Sequence, residues 1–236
     1  MTFSLKRVYA IFTKDYKDLL KNSYVLFTIA LPIFYALLLN RIGDENATFN
    51  LLPINLALVI TGAFIQAAIV AEEKEKNTLR GLLLSPASTL EILIGKSVLS
   101  AVVTVLVILI CVKLGGFVIV SLSLFALMIF LNLIIYLAVG TMLGLLSRTV
   151  METSIIGMPF MLVFGMISMF KPLFKNEMLL NAIEYLPGEQ FAAAWMTISE
   201  GGQFGDITGE LVVLTLWAIV AVVVTFITYG KRRFDK

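Results

Sequence analysis

The longest unbroken run of ionisable side chains in this chain is Glu72-Glu73-Lys74-Glu75-Lys76. Carboxylates can act as general acids and bases, but the partners such chemistry needs are missing. Histidine is absent from all 236 residues. That removes it as general base, metal ligand and haem ligand, together with Ser-His and Cys-His nucleophile pairs. No carboxylate pair falls inside an apolar stretch, so the usual acid-base constellations cannot be assembled either. There is no Gly-rich phosphate loop, so the chain is not expected to bind ATP, to hold a cofactor or to be an enzyme. The single cysteine, Cys111, lies in an apolar run and permits no intrachain disulfide. What remains for the run at 72–76 is to present charge. A solvated turn of alternating charges would do that; so would a docking surface, which fits better because Glu72–Ser88 is larger than a turn needs.

Two amides sit alone in apolar surroundings, Gln66 and Asn132. Interhelical hydrogen bonds are one use for them, at about 0.6 kcal/mol each; contact with a passing substrate is the other. No Asp, Glu or Arg lies inside an apolar stretch, and Lys113 is near the end of one. An ion-coupled secondary transporter normally keeps such groups in the bilayer despite a cost of about 2.5–3.5 kcal/mol. A non-transporting membrane scaffold is harder to set aside.

The elements that must position these residues are apolar helices. The chain is 59% hydrophobic and 14% charged, where a soluble domain carries roughly 25% charged residues. Six stretches are candidate spans: Tyr24–Asn40, Ile54–Ala71, Ser97–Val112, Leu124–Leu146, Ser154–Phe170 and Leu211–Tyr229. A span takes about 20 residues, which leaves the third and fifth short and keeps five spans plus a re-entrant segment open. Pro32 and Pro159 fall inside spans, and Pro53 suits the first turn of the second. Putting the N-terminal arm, the 72–96 loop, the 147–153 loop and the tail on one side gathers 14 of the 18 Lys and Arg there. The acidic residues split evenly, so the bias is the positive-inside signature and both termini are expected in the cytoplasm of a plasma-membrane protein.

Residues 1–22 read as an amphipathic interfacial helix, with Leu5, Val8, Phe12, Tyr16 and Leu19 at helical spacing. Residues 171–210, on the outer side, hold two amphipathic halves, Asn176–Leu186 and Glu189–Ser199, around Pro187-Gly188. They are too interrupted to span and too apolar for a free loop, and are expected to form a re-entrant hairpin. Gly140 and Gly144 form a small-xxx-small pair suited to packing within the subunit. The fold class is therefore an all-α integral membrane protein with six transmembrane helices, an interfacial helix and a hairpin before the last span. The whole chain, 1–236, is one domain.

These pieces resemble the permease subunits of type-2 ABC exporters. The resemblance rests on the acidic exit from the second span with its continuation Leu90-Glu91-Ile92-Leu93-Ile94-Gly95-Lys96, on Tyr185-Leu186-Pro187 with Phe191-Ala192-Ala193-Ala194, and on the amphipathic arm. Where the family often has Arg after the first Glu of that exit, this chain has Glu73. The resemblance implies a cytoplasmic coupling helix at 72–90 that inserts into a separate ATPase, with Glu72, Glu73, Glu75, Thr78, Leu79 and Arg80 as contact residues. It implies two ATP-binding cassette subunits and a second permease copy, identical or a close paralogue, in a lipid membrane, with no nucleic acid involved. The cargo would be hydrophobic or amphipathic. Read from the residues themselves, Gln66 and Asn132 are the candidates for its path, and the hairpin with Pro187, Gly188 and Gln190 is the candidate outer lid.

Overall fold

The computed structural model describes residues 4–42, 47–76, 78 and 88–232, and no strand occurs among them. Helix α1 (Leu5–Lys21) is the arm and α2 (Ser23–Ile42) the first span. The second span is composite: α3 (Ala47–Leu56), a π-helical stretch (Ala57–Phe64) and α4 (Ile65–Glu75). Then come α5 (Thr89–Leu114), α6 (Leu122–Leu146), α7 (Val150–Phe170), the hairpin α8 (Glu177–Glu184) and α9 (Pro187–Ser199), and α10 (Thr208–Arg232). Among the described residues six helices are long and apolar enough to cross a membrane.

The third and fifth spans are not short. α5 has 26 residues and α7 has 21, so the arrangement of five spans plus a re-entrant segment falls. The extra length of α5 comes from its start. Ser88 and Glu91 form a capping box, which satisfies two orphan backbone donors and begins the helix well before Ser97. Pro53 does not open the second span either. α3 begins at Ala47 and carries Pro53 in its interior. Leu51 and Leu52, ahead of the proline, are buried, and that packing carries the helix through a residue lacking one backbone donor.

The second span is the centre of the bundle. Residues 51–71 are buried without a break, whereas only 17% of the apolar windows of α2 and α7 is buried. Close approach of α6 makes this possible. A Cβ at Gly140 would stand 2.3 Å from the carbonyl oxygen of Ala63, and one at Gly144 would stand 2.5 Å from that of Ala67. The glycine pair therefore packs within the subunit. At the opposite end from the termini, Phe117, Phe125, Phe191 and Trp195 pack in tilted and edge-to-face pairs with centroids 5.2–6.1 Å apart. They fasten α9 to the start of α6, while the Trp217 indole N–H donates to the Tyr185 carbonyl at 2.7 Å.

Backbone sits where a methyl would go, so neither glycine can be enlarged without moving α6. Gly140→Ala and Gly144→Ala should each lower unfolding stability in detergent by about 1–3 kcal/mol. Gly205→Ala, with nothing within 4 Å of the new carbon, should not. Equal melting of all three would contradict the packing described.

Candidate functional site

The end of the bundle that carries both chain ends also carries the run at 72–76, and each of its central residues is taken up by a different neighbour. Glu73 is 3% exposed. Its carboxylate accepts from Lys14 of α1, lies 3.1 Å from the Lys96 ammonium of α5 and accepts from the Thr78 hydroxyl at 3.0 Å. Asp15 of α1 joins the group, 3.5 Å from Lys96 and 3.6 Å from Lys14. Two carboxylates and two ammonium groups thus neutralise one another in a buried cluster, as charges held away from water must. Burial pushes the Asp15 carboxyl above its ordinary range, only partly offset by Lys96 and Lys14. Burial works against the charge of Lys14, but its bond to Glu73 prevails and its pKa is raised.

The next two residues face two helix ends. The Lys74 ammonium donates to the Leu145 carbonyl at 2.5 Å, in the last turn of α6. The Glu75 carboxylate accepts from the Val150 backbone N–H at 3.1 Å, the first residue of α7. A helix ends in unpaired carbonyls with partial negative charge and begins with unpaired N–H groups of the opposite sign. Lysine at one and glutamate at the other is the matched arrangement, which gives the alternation Glu73-Lys74-Glu75 a physical reason. Glu72 is paired at the surface with Lys76 at 2.5 Å, a contact of little energetic weight.

A second clasp holds the arm to α5. Glu91 is fully buried and accepts from Arg7 at 2.7 and 3.1 Å, from the Ser88 N–H at 2.7 Å and from the Ser4 N–H at 2.5 Å. Val8 and Ile11, between the clasps, and Leu19, beyond them, are buried, while Leu5, Tyr9, Tyr16 and Leu20 stay exposed along the arm. The arm is thus amphipathic as expected, but its buried face is turned toward Asp15, away from Leu5 and Tyr16.

Of the expected contact residues, Glu72, Glu73, Glu75 and Thr78 gather at this junction; Leu79 and Arg80 lie outside the described residues. Gln66 is fully buried and saturated. Its amide nitrogen donates to Thr141 at 3.0 Å and Ser97 at 3.3 Å, and its oxygen accepts from Ser100 at 2.8 Å. It ties the second, third and fourth spans together. Asn132 donates to the Met128 carbonyl at 2.9 Å, and its buried side-chain oxygen has no hydrogen-bond partner among the described residues. In the hairpin, Pro187 opens α9 and Gln190 donates to the Glu184 carbonyl at 2.7 Å. Gly188 lies in the first turn, where a Cβ would meet the Asn55 amide at 2.8 Å. Glu189, nearly buried, pairs with Lys171 at 2.7 Å and accepts from Ser168.

Sequence reasoning passed over Arg7, Lys14, Asp15, Glu91 and Lys96 as site residues. One signal was available: Ser88-Thr89-Leu90-Glu91 has capping-box spacing. The arm-to-span pairings have no local signature, since Lys14 and Glu73 are 59 positions apart.

Residues 43–227 match the family model described as "ABC-2 family transporter protein". No curated protein matches the chain.

Removing one partner of a buried charge cluster strands the other, at about 3–5 kcal/mol. Lys96→Met should therefore destabilise the protein by that order and free the arm to trypsin. Lys14→Met, whose side chain is 42% exposed, should cost clearly less. Unchanged melting and unchanged arm protection in Lys96→Met would mean that the cluster does not hold the arm.

Proposed function

The chain belongs to the ABC-2 transporter family, and on that premise we propose that it is the permease of an ATP-driven exporter. Two copies, or one with a close paralogue, sit on two separate ATP-binding cassette subunits in the plasma membrane, with both termini cytoplasmic. The substrate is hydrophobic or amphipathic and leaves from the cytoplasm or the inner leaflet.

The observation that carries this reading is the junction at Glu73-Lys74-Glu75. The residues that follow, Thr78, Leu79 and Arg80, are the proposed insertion into the ATPase, and Glu72 is at the surface of the same junction. A push on that segment arrives first at three residues joined to α1, α5, the end of α6 and the start of α7. It is also delivered along a second span enclosed by the rest of the bundle. Glu73 and Glu75 act here by passing on the movement rather than by touching the ATPase through exposed carboxylates. Asn132, with its buried oxygen unpartnered, is the mid-span amide assigned to the substrate path, and Gln66 is the tie that holds the spans beside it. The hairpin with Pro187, Gly188 and Gln190 is the outer lid.

In membranes carrying the permease and its ATPase, Leu79→Ala with Arg80→Ala should leave insertion intact while the ATPase co-purifies poorly or hydrolyses ATP without export. Asn132→Leu should slow export at unchanged ATPase retention. Normal export and normal retention in the double variant would remove the docking assignment.

Orientation and lid are tested with single cysteines in a Cys111→Ala background. Substituted at Glu200, cysteine should react with an impermeant maleimide added to intact cells; substituted at Asn77 it should not. Labelling at Asn77 in sealed cells would reverse the topology. Bridging two copies through Gln190→Cys should stop export with the ATPase still bound, and undiminished export from fully bridged protein would exclude the lid.

A further inference from the structure

A crevice of about 210 Å³ opens sideways between α5, α6 and α10. Leu93, Ile134, Leu137, Ala138, Val222 and Phe226 form apolar walls, and three hydroxyls, Ser97, Thr141 and Thr225, also line it. It belongs to the half of the membrane nearest the charged end. Thr141 stands five residues from the end of α6, Thr225 seven from the end of α10 and Ser97 eight from the start of α5. At 1.5 Å per residue these are depths of about 7–12 Å.

The hydroxyls are not equally occupied. Thr225 donates to the Ala138 carbonyl at 2.8 Å, and Thr141 donates to the Leu137 carbonyl at 2.9 Å while accepting from Gln66. Ser97 accepts from Gln66 at 3.3 Å, but its own O–H has no acceptor among the described residues. A donor left unused beside apolar walls in the membrane is costly. Whatever fills the crevice therefore brings an acceptor beside Ser97 and an apolar segment for the walls. Seven residues on from Thr225, two turns nearer the helix end and on the same face of α10, the backbone places Arg232.

We propose that this crevice binds one glycerophospholipid from the leaflet at the charged end. An acyl chain lies between Leu93, Ile134, Leu137 and Phe226, an ester carbonyl accepts from Ser97, and the phosphate lies at the level of Arg232. Polar and apolar parts follow one another in the order in which a phospholipid presents them. The proposal concerns the outward side of the third, fourth and sixth spans and does not depend on an ATPase docking to the chain.

The test is native mass spectrometry of the protein released from nanodiscs of phosphatidylethanolamine and phosphatidylglycerol. Wild type should retain one phospholipid per chain after the loosely held lipids are stripped. Ala138→Phe fills the crevice and should lose the adduct. Ser97→Ala, which leaves Gln66 bonded to Thr141 and Ser100, should weaken retention about fivefold, the factor carried by one net hydrogen bond. It also serves as the reading should Ala138→Phe not fold. Val163→Phe, on an exposed face of α7, should retain the lipid as wild type does. The proposal is overturned if wild type retains no phospholipid, or if folded Ala138→Phe or Ser97→Ala holds the phospholipid as firmly as Val163→Phe.

Discussion

Glu73 is buried in the last turn of a helix whose preceding residues, 65–71, are buried throughout, and a lone carboxylate could not remain ionised there. Lys96 and Lys14 supply the opposite charge from two different elements. Much else depends on that pairing. Lys14 reaches Glu73 only if the arm lies across α5, which brings Arg7 to Glu91 and buries Val8, Ile11 and Leu19. Lys96 reaches it only if α5 begins upstream of the apolar stretch, which the Ser88–Glu91 cap arranges. Charge neutralisation, helix capping and apolar packing thus fix the same placement of the arm by independent routes.

The same segment is matched to the polarity of helix ends. Lys74 and Glu75 are consecutive, and they meet the closing carbonyls of α6 and the opening N–H groups of α7. A one-residue slip would set each against a helix end of its own sign. In the second span Gln66 bonds to side chains of α5 and α6, and Gly140 and Gly144 bring α6 against its backbone. Movement of the charged end and movement of the spans are therefore constrained together.

Most of the architecture could be read from the residues, because lipid imposes simple rules. Apolar length located the six spans, the arm at helical spacing gave α1, and Pro187 marked the turn of the hairpin. The errors have local physical causes. The third span looked short because Lys96 and Glu91 resemble loop residues unless their partners are known, and those partners lie on other elements. Pro53 looked like a helix start because propensity was read without the packing of Leu51 and Leu52. The charged run was recognised as a surface, while the structure turns Glu73, its most buried acid, inward. Which of two amides would be satisfied, Gln66 or Asn132, depends on hydroxyls far away in sequence, and spacing within a helix carries no such information.

A helix enclosed on all sides cannot be enclosed before its neighbours exist. Synthesis runs from the N-terminus, so Leu51–Glu75 is made before α5, α6 and α7. For that interval Gln66 lacks Ser97, Ser100 and Thr141, and Glu73 lacks Lys96. Lys14 is already present. During biogenesis Lys14 of the arm can thus shield the acidic end of the nascent second span, and the mature cluster is completed only when Lys96 emerges from the ribosome.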